Sequence, residues 1–169
     1  IRKGVLLCLD MGHFHPTENI ADKLSAAALS LDEILLHVSR PMRWDSDHVI
    51  LLNDDILAMA QELVSADLLG RTHIGLDFFD ATISRTAAWV LGTRNMQKAL
   101  LRAMLLPWDV LRKSERILDF TQRLAITEEV KDLPSGAVWA EFCKRAGVPE
   151  GLTLIGELES YQSGVAERG

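Results

Sequence analysis

Apolar residues recur along this chain in two rhythms. Residues 4–9, GVLLCL, are an apolar run opened by a glycine, and a run of that length predicts a short buried strand. Residues 17–30, TENIADKLSAAALS, carry Ile20, Leu24 and Ala27 or Ala28 at helical spacing, so a helix follows with Thr17 as its N-cap after Pro16. DEILLHVSRP, residues 32–41, reads as a second strand ending at Pro41, and MRWDSD, residues 42–47, as a loop. DILAMAQELVSADLL, residues 55–69, has apolar residues at i, i+3, i+4 and i+7 and predicts a helix closed by Gly70. THIGLDFFDA, residues 72–81, is the third strand. From there the pattern turns helical, over 84–105 and near 107–131, 136–146 and 155–166. The change divides the chain into βα units, residues 1–83, and a helical C-terminal region, residues 84–169, that packs on those units or on subunit partners.

Strands and helices that alternate at these lengths make βα units around a parallel sheet, and such folds gather their active sites at the C-terminal ends of the strands. Three units do not close a barrel, which takes eight. The chain also enters a buried-type strand almost at once from Ile1. The expected fold is therefore α/β, the C-terminal part of a (β/α)8 barrel of about three units followed by a helical tail, and the chain is expected to be a fragment.

Composition narrows the partners. Net charge is -6 and the pI about 5.3, with basic residues scattered among acids, which argues against a nucleic-acid footprint. No apolar run approaches the roughly 18 residues that span a bilayer, so no membrane association is expected. Cys8 in an apolar strand and Cys143 in AEFCKRAG read as isolated, mostly buried thiols, which fits a reducing cytoplasm.

The chemistry lies where the strands end. Residues two apart in a strand share a face, which groups Leu6, Cys8 and Asp10 in the first strand, Leu35, His37 and Ser39 in the second, and His73, Gly75 and Asp77 in the third. His13 follows Gly12, and Asp45 and Asp47 form a D-x-D in the loop after the second strand. Four carboxylates and two imidazoles at one end suit two divalent ions. The plainer reading is an ion-pair network around Arg40 and Arg43, with His37 a satisfied core histidine and D-x-D a solvated turn. Buried acids on three strand ends weigh against it, because unpaired buried charge costs several kcal/mol.

The segments DMGHFHPTE, LLHVSRPMRWDSDH, HIGLDFFDA and GTRNMQKALLRA resemble, in the same order, segments of the bacterial L-rhamnose isomerases, enzymes with a (β/α)8 catalytic domain related in architecture to xylose isomerase. The resemblance runs from about residue 4 to the C-terminus. It implies a cytoplasmic enzyme, a homotetramer when full length, that interconverts L-rhamnose and L-rhamnulose by a metal-assisted hydride shift. Carried over by position, His13, Asp45 and Asp47 match ligands of a catalytic Mn2+, and Asp10, His37 and Asp77 match ligands of a second divalent ion, Zn2+ or Mn2+. A metal-bound water, with Asp77 nearby as the catalytic carboxylate, is the expected proton relay between O1 and O2. The family's bridging glutamate, with a lysine, a tryptophan and a ring-opening histidine, lies upstream of the matched region, so the isolated chain is expected to be inactive. Two alternatives stay open on sequence: a dimetal phosphoesterase, and a truncated chain with only an interaction role.

Overall fold

The structure is a computed structural model that describes residues 5–15, 17–40 and 48–167. It forms two compact units, one up to Ala103 and one from Met104.

The first unit contains β1 (Leu7–Asp10), α1 (Ala21–Ala28), β2 (Ile34–Val38), α2 (Asp54–Ser65), β3 (Thr72–Leu76) and the long α3 (Arg85–Met104). The strands form one sheet in the order β1-β2-β3, with both pairings parallel. β2 is central, and its alternate residues Ile34, Leu36 and Val38 are almost wholly buried. With Leu9, which stands opposite Leu36, they join Leu24 and Ala28 of α1, Ile56, Met59 and Leu63 of α2, and Met96, Ala99 and Ala103 of α3 in one core. That is the helix-covered face of a βα sheet, held mainly by apolar burial. α3 therefore belongs with the first unit by its packing, although its sequence marks the start of the helical half.

Several boundaries differ from the sequence reading for local reasons. Thr17 does not cap α1. Its N–H donates to His15 Nδ1 at 3.2 Å and its hydroxyl lies 2.7 Å from the same nitrogen, while Asn19 Oδ1 accepts from Ala21 N at the start of the helix. α2 is capped by Asn53, whose side chain accepts from Ile56 N. It ends at Ser65, short of Gly70, because Asp67 takes the left-handed turn at φ 55°, which a short polar side chain tolerates. Arg71 then donates to the carbonyls of Ala28 and Leu31, closing the open end of α1. β1 was expected to be buried on both faces, yet Val5, Leu6, Leu7 and Cys8 are exposed. β1 is an edge strand, and of its residues only Leu9 is buried. Cys8 is consequently an exposed thiol, whereas Cys143 is buried as expected.

The second unit is helical: α4 (Trp108–Arg116), α5 (Phe120–Glu129), α6 (Ser135–Ala146) and α7 (Thr153–Ala166). The helical pattern near 107–131 is broken by Leu118, at φ 59°, and restarted by Asp119, whose carboxylate accepts from Gln122 N. Leu111, Ser114, Trp139 and Cys143 are its buried residues. Among the described residues no helix is long and apolar enough to cross a membrane.

Candidate functional site

Register brings the predicted residues together. Asp10 stands opposite His37, and His37 opposite Gly75. Asp77 lies two residues beyond Gly75, with its N–H donating to Val38 O at 2.9 Å, which extends the β3 line just past the strand. The imidazole of His37 faces a carboxylate on either side. Its Nδ1 is 2.7 Å from Asp10 Oδ2 and its Nε2 is 3.7 Å from Asp77 Oδ2. His13, which follows β1 in a single 3-10 turn, brings Nε2 to 3.6 Å from the same Asp10 oxygen. His73 shares the row but not the site, since it pairs with Glu33 at the other end of the strands.

The two carboxylates are held by the same device. Asp10 Oδ1 accepts from Gly12 N at 2.9 Å, and Asp77 Oδ1 accepts from Phe79 N at 2.7 Å. Each aspartate thus ties one oxygen to the backbone two residues on and turns Oδ2 toward His37. Their side chains are 22% and 21% exposed and that of His37 is 32%, whereas His13 is 59% exposed. The cluster therefore sits half-buried at the mouth of the strands, where solutes can reach it.

Asp45 and Asp47 lie outside the described residues. The positions that flank their segment are well tied: Arg40 N donates to His48 O, Val49 N donates to Phe79 O at 2.9 Å, and Asn95 of α3 donates to Ile50 O.

Among the described residues no three His, Cys, Asp or Glu side chains surround a common point that an ion could occupy. The shortest contact in the cluster is that between His37 Nδ1 and Asp10 Oδ2. Two ligands bound to one ion at about 2.1 Å each stand roughly 3.0 to 3.5 Å apart, so 2.7 Å is too close. The other two nitrogen–oxygen separations, 3.6 and 3.7 Å, are near that spacing. Oxygen and imidazole donors of this kind suit a divalent cation, so the donor set fits one once the short contact lengthens.

Beside the cluster, Phe78, Phe79, Trp89 and Arg85 line an open cleft of about 540 Å³. Asp80, on its rim, is held below the usual carboxylate range by hydrogen bonds from the Thr82 hydroxyl and N–H. Ser39 Oγ, on the His37 side of β2 by parity, is fully buried with no hydrogen-bond partner among the described residues. The sequence reading passed over Asn95 and Gly92 of α3. The available signal was a glycine within a long helical pattern, AAWVLGTRNMQKALL.

A family model described as L-rhamnose isomerase (RhaA) matches residues 1–168. The L-rhamnose isomerase of Listeria monocytogenes serotype 4a (strain HCC23) is 57% identical over 165 residues, covering 98% of this chain and 39% of the relative. That of Mannheimia succiniciproducens is 56% identical, covering 98% of the chain and 40% of the relative. That of Shigella flexneri serotype 5b is 57% identical over 164 residues, covering 96% and 39%. The chain spans about two fifths of the length of these relatives, and across nearly all of its own length it belongs to the L-rhamnose isomerase family.

Proposed function

We propose that the protein carrying this chain is a metal-dependent aldose–ketose isomerase that interconverts L-rhamnose and L-rhamnulose, with its metal ligands at the strand ends described above. Family membership supports the reaction. The observation that carries the site is the paired tethering of Asp10 and Asp77, each with one oxygen fixed to the backbone and the other turned to His37. His13, Asp45 and Asp47 are assigned to a catalytic Mn2+, and Asp10, His37 and Asp77 to a second divalent ion, Zn2+ or Mn2+. When bound, a divalent ion would supply Lewis-acid polarisation of the sugar carbonyl, which favours a hydride shift between C1 and C2 without nicotinamide.

The chain's own groups do the positioning. The backbone tethers stop the carboxylates from rotating, and the carboxylates in turn fix the plane of the His37 ring. His13, the most exposed of the four, stands closest to incoming solute. Asp77 Oδ2 is the oxygen assigned to take and return the proton exchanged between O1 and O2, since it is held less closely by His37 than is Asp10 Oδ2. The full-length protein is proposed to act in the cytoplasm as a homotetramer. Exposed apolar side chains on the second unit, among them Phe120, Leu124 and Leu152, support a role in subunit contacts. Residues 1–169 alone are expected to be inactive.

The test is His13→Ala in the full-length protein. Because His13 is exposed, its loss leaves the thermal midpoint of the metal-free protein unchanged, while ketose formation from L-rhamnose falls by at least about 100-fold. Undiminished conversion in metal-limited buffer overturns the assignment.

A further inference from the structure

Glycine is the poorest helix former after proline, yet Gly92 sits buried in the interior of α3. Space explains it. A Cβ at residue 92 would lie 3.3 Å from Phe78 Cδ1, tight enough that the ring must give way, with Phe78 Cε1 and Val49 Cγ2 in contact at 3.4 Å. Phe78 is the residue after Asp77, and its ring also meets Trp89 of α3 edge-on, at 6.4 Å between centroids. Val49 is hydrogen-bonded to Phe79 O, and Phe79 N is the donor that holds Asp77 Oδ1 at 2.7 Å. The ring that a Cβ would displace and the side chain it would touch are therefore both tied to the turn that aims Asp77.

We propose that Gly92 is a positioning residue for Asp77: its missing side chain lets Phe78 and Val49 seat against α3, and that seating fixes where Asp77 Oδ2 faces His37. The inference rests on the metal-site reading above. A methyl group at 92 shifts Phe78 by a few tenths of an ångström, and the short Phe79 N to Asp77 tether passes the shift to the carboxylate. Because Ala is the better helix former, the same substitution favours α3 itself. The two effects have opposite signs, which separates positioning from a merely structural role.

The experiment uses the full-length protein and compares Gly92→Ala, Gly92→Ala with Phe78→Leu, and Asp77→Asn. Mn2+ affinity is read by electron paramagnetic resonance titration, alongside kcat and KM for L-rhamnose and the thermal midpoint. For Gly92→Ala the expected result is Mn2+ binding and kcat each lowered about 10-fold, with KM nearly unchanged and the thermal midpoint unchanged or raised. Trimming Phe78 in the double variant restores both to within about threefold of the parent. Parental affinity and turnover in Gly92→Ala, or a double variant as impaired as the single, overturns the proposal. Should Gly92→Ala not fold, Phe78→Ala carries the test by removing the seated ring: weakened Mn2+ binding is expected, and unchanged binding overturns the proposal. Asp77→Asn separates the two levels. If it leaves affinity and turnover intact, the metal reading itself fails; if it abolishes them while Gly92→Ala does nothing, only the positioning role fails.

Discussion

The two faces of the three-stranded sheet are made from alternate residues of the same strands, yet they differ in kind. On one face Leu9, Ile34, Leu36 and Val38 are buried against helices and carry no polar atom in their side chains. On the other, Cys8, Asp10, Leu35, His37 and His73 are exposed or half-buried, and Asp10 and His37 meet toward the C-terminal ends of the strands. Period-two alternation keeps the two jobs apart. The packed face holds the fold together, so the other face can carry polar groups that a core would not tolerate.

The largest effect expected from breaking this division is on the packed face. Leu36→Asp places an unpaired carboxylate at a fully buried position and should cost several kcal/mol, enough to abolish the cooperative urea transition of the 169-residue chain. The same change at Leu6, which the sequence alone places in a buried strand, should matter far less, because Leu6 is 49% exposed. Equal loss at both sites would erase the distinction between the faces.

Next comes Leu24→Ala in α1, which removes a buried side chain from the core beneath β2. It should lower stability by about 2–5 kcal/mol, seen as a shift in the urea midpoint. A smaller step is Asn53→Ala. Loss of its hydrogen bond to Ile56 N should cost about 1 kcal/mol at the N-terminus of α2, and a larger loss would mean that Asn53 does more than cap.

The smallest effect belongs to the open face. Cys8→Ser should change stability by no more than about 0.5 kcal/mol. In the native 169-residue chain the Cys8 thiol should react readily with a disulfide reagent while Cys143 stays protected. Equal protection of the two thiols would show that the Cys8 face is covered.

Much of this division was legible in the residues. The parity that grouped Asp10, His37 and Asp77 on one side is the arrangement the register produces, because side-chain alternation in a strand leaves little freedom. What stayed illegible was set by contacts distant in sequence. Nothing in GVLLCL says that β1 is an edge strand with only Leu9 covered. Thr17 looked like a cap because hydroxyl residues cap helices, but His15, two residues away, engages it first. The end of α2 was misplaced because Asp67 rather than Gly70 takes the left-handed turn. The backbone tethers of Asp10 and Asp77 were hidden for a different reason: an aspartate two residues before any N–H is too common a pattern to stand out until the turn geometry is known.

The central claim is that Asp10, His37 and Asp77 hold a divalent ion that the isomerisation needs. Its most direct measurement is ketose formation from L-rhamnose by the full-length protein, stripped with a chelator and then titrated with Mn2+, beside the His37→Ala variant treated in the same way. The account predicts that stripping abolishes conversion, that Mn2+ restores it in the parent, and that the variant stays inactive at Mn2+ concentrations that saturate the parent. Full conversion by the stripped parent, or equal restoration of the variant, would contradict it.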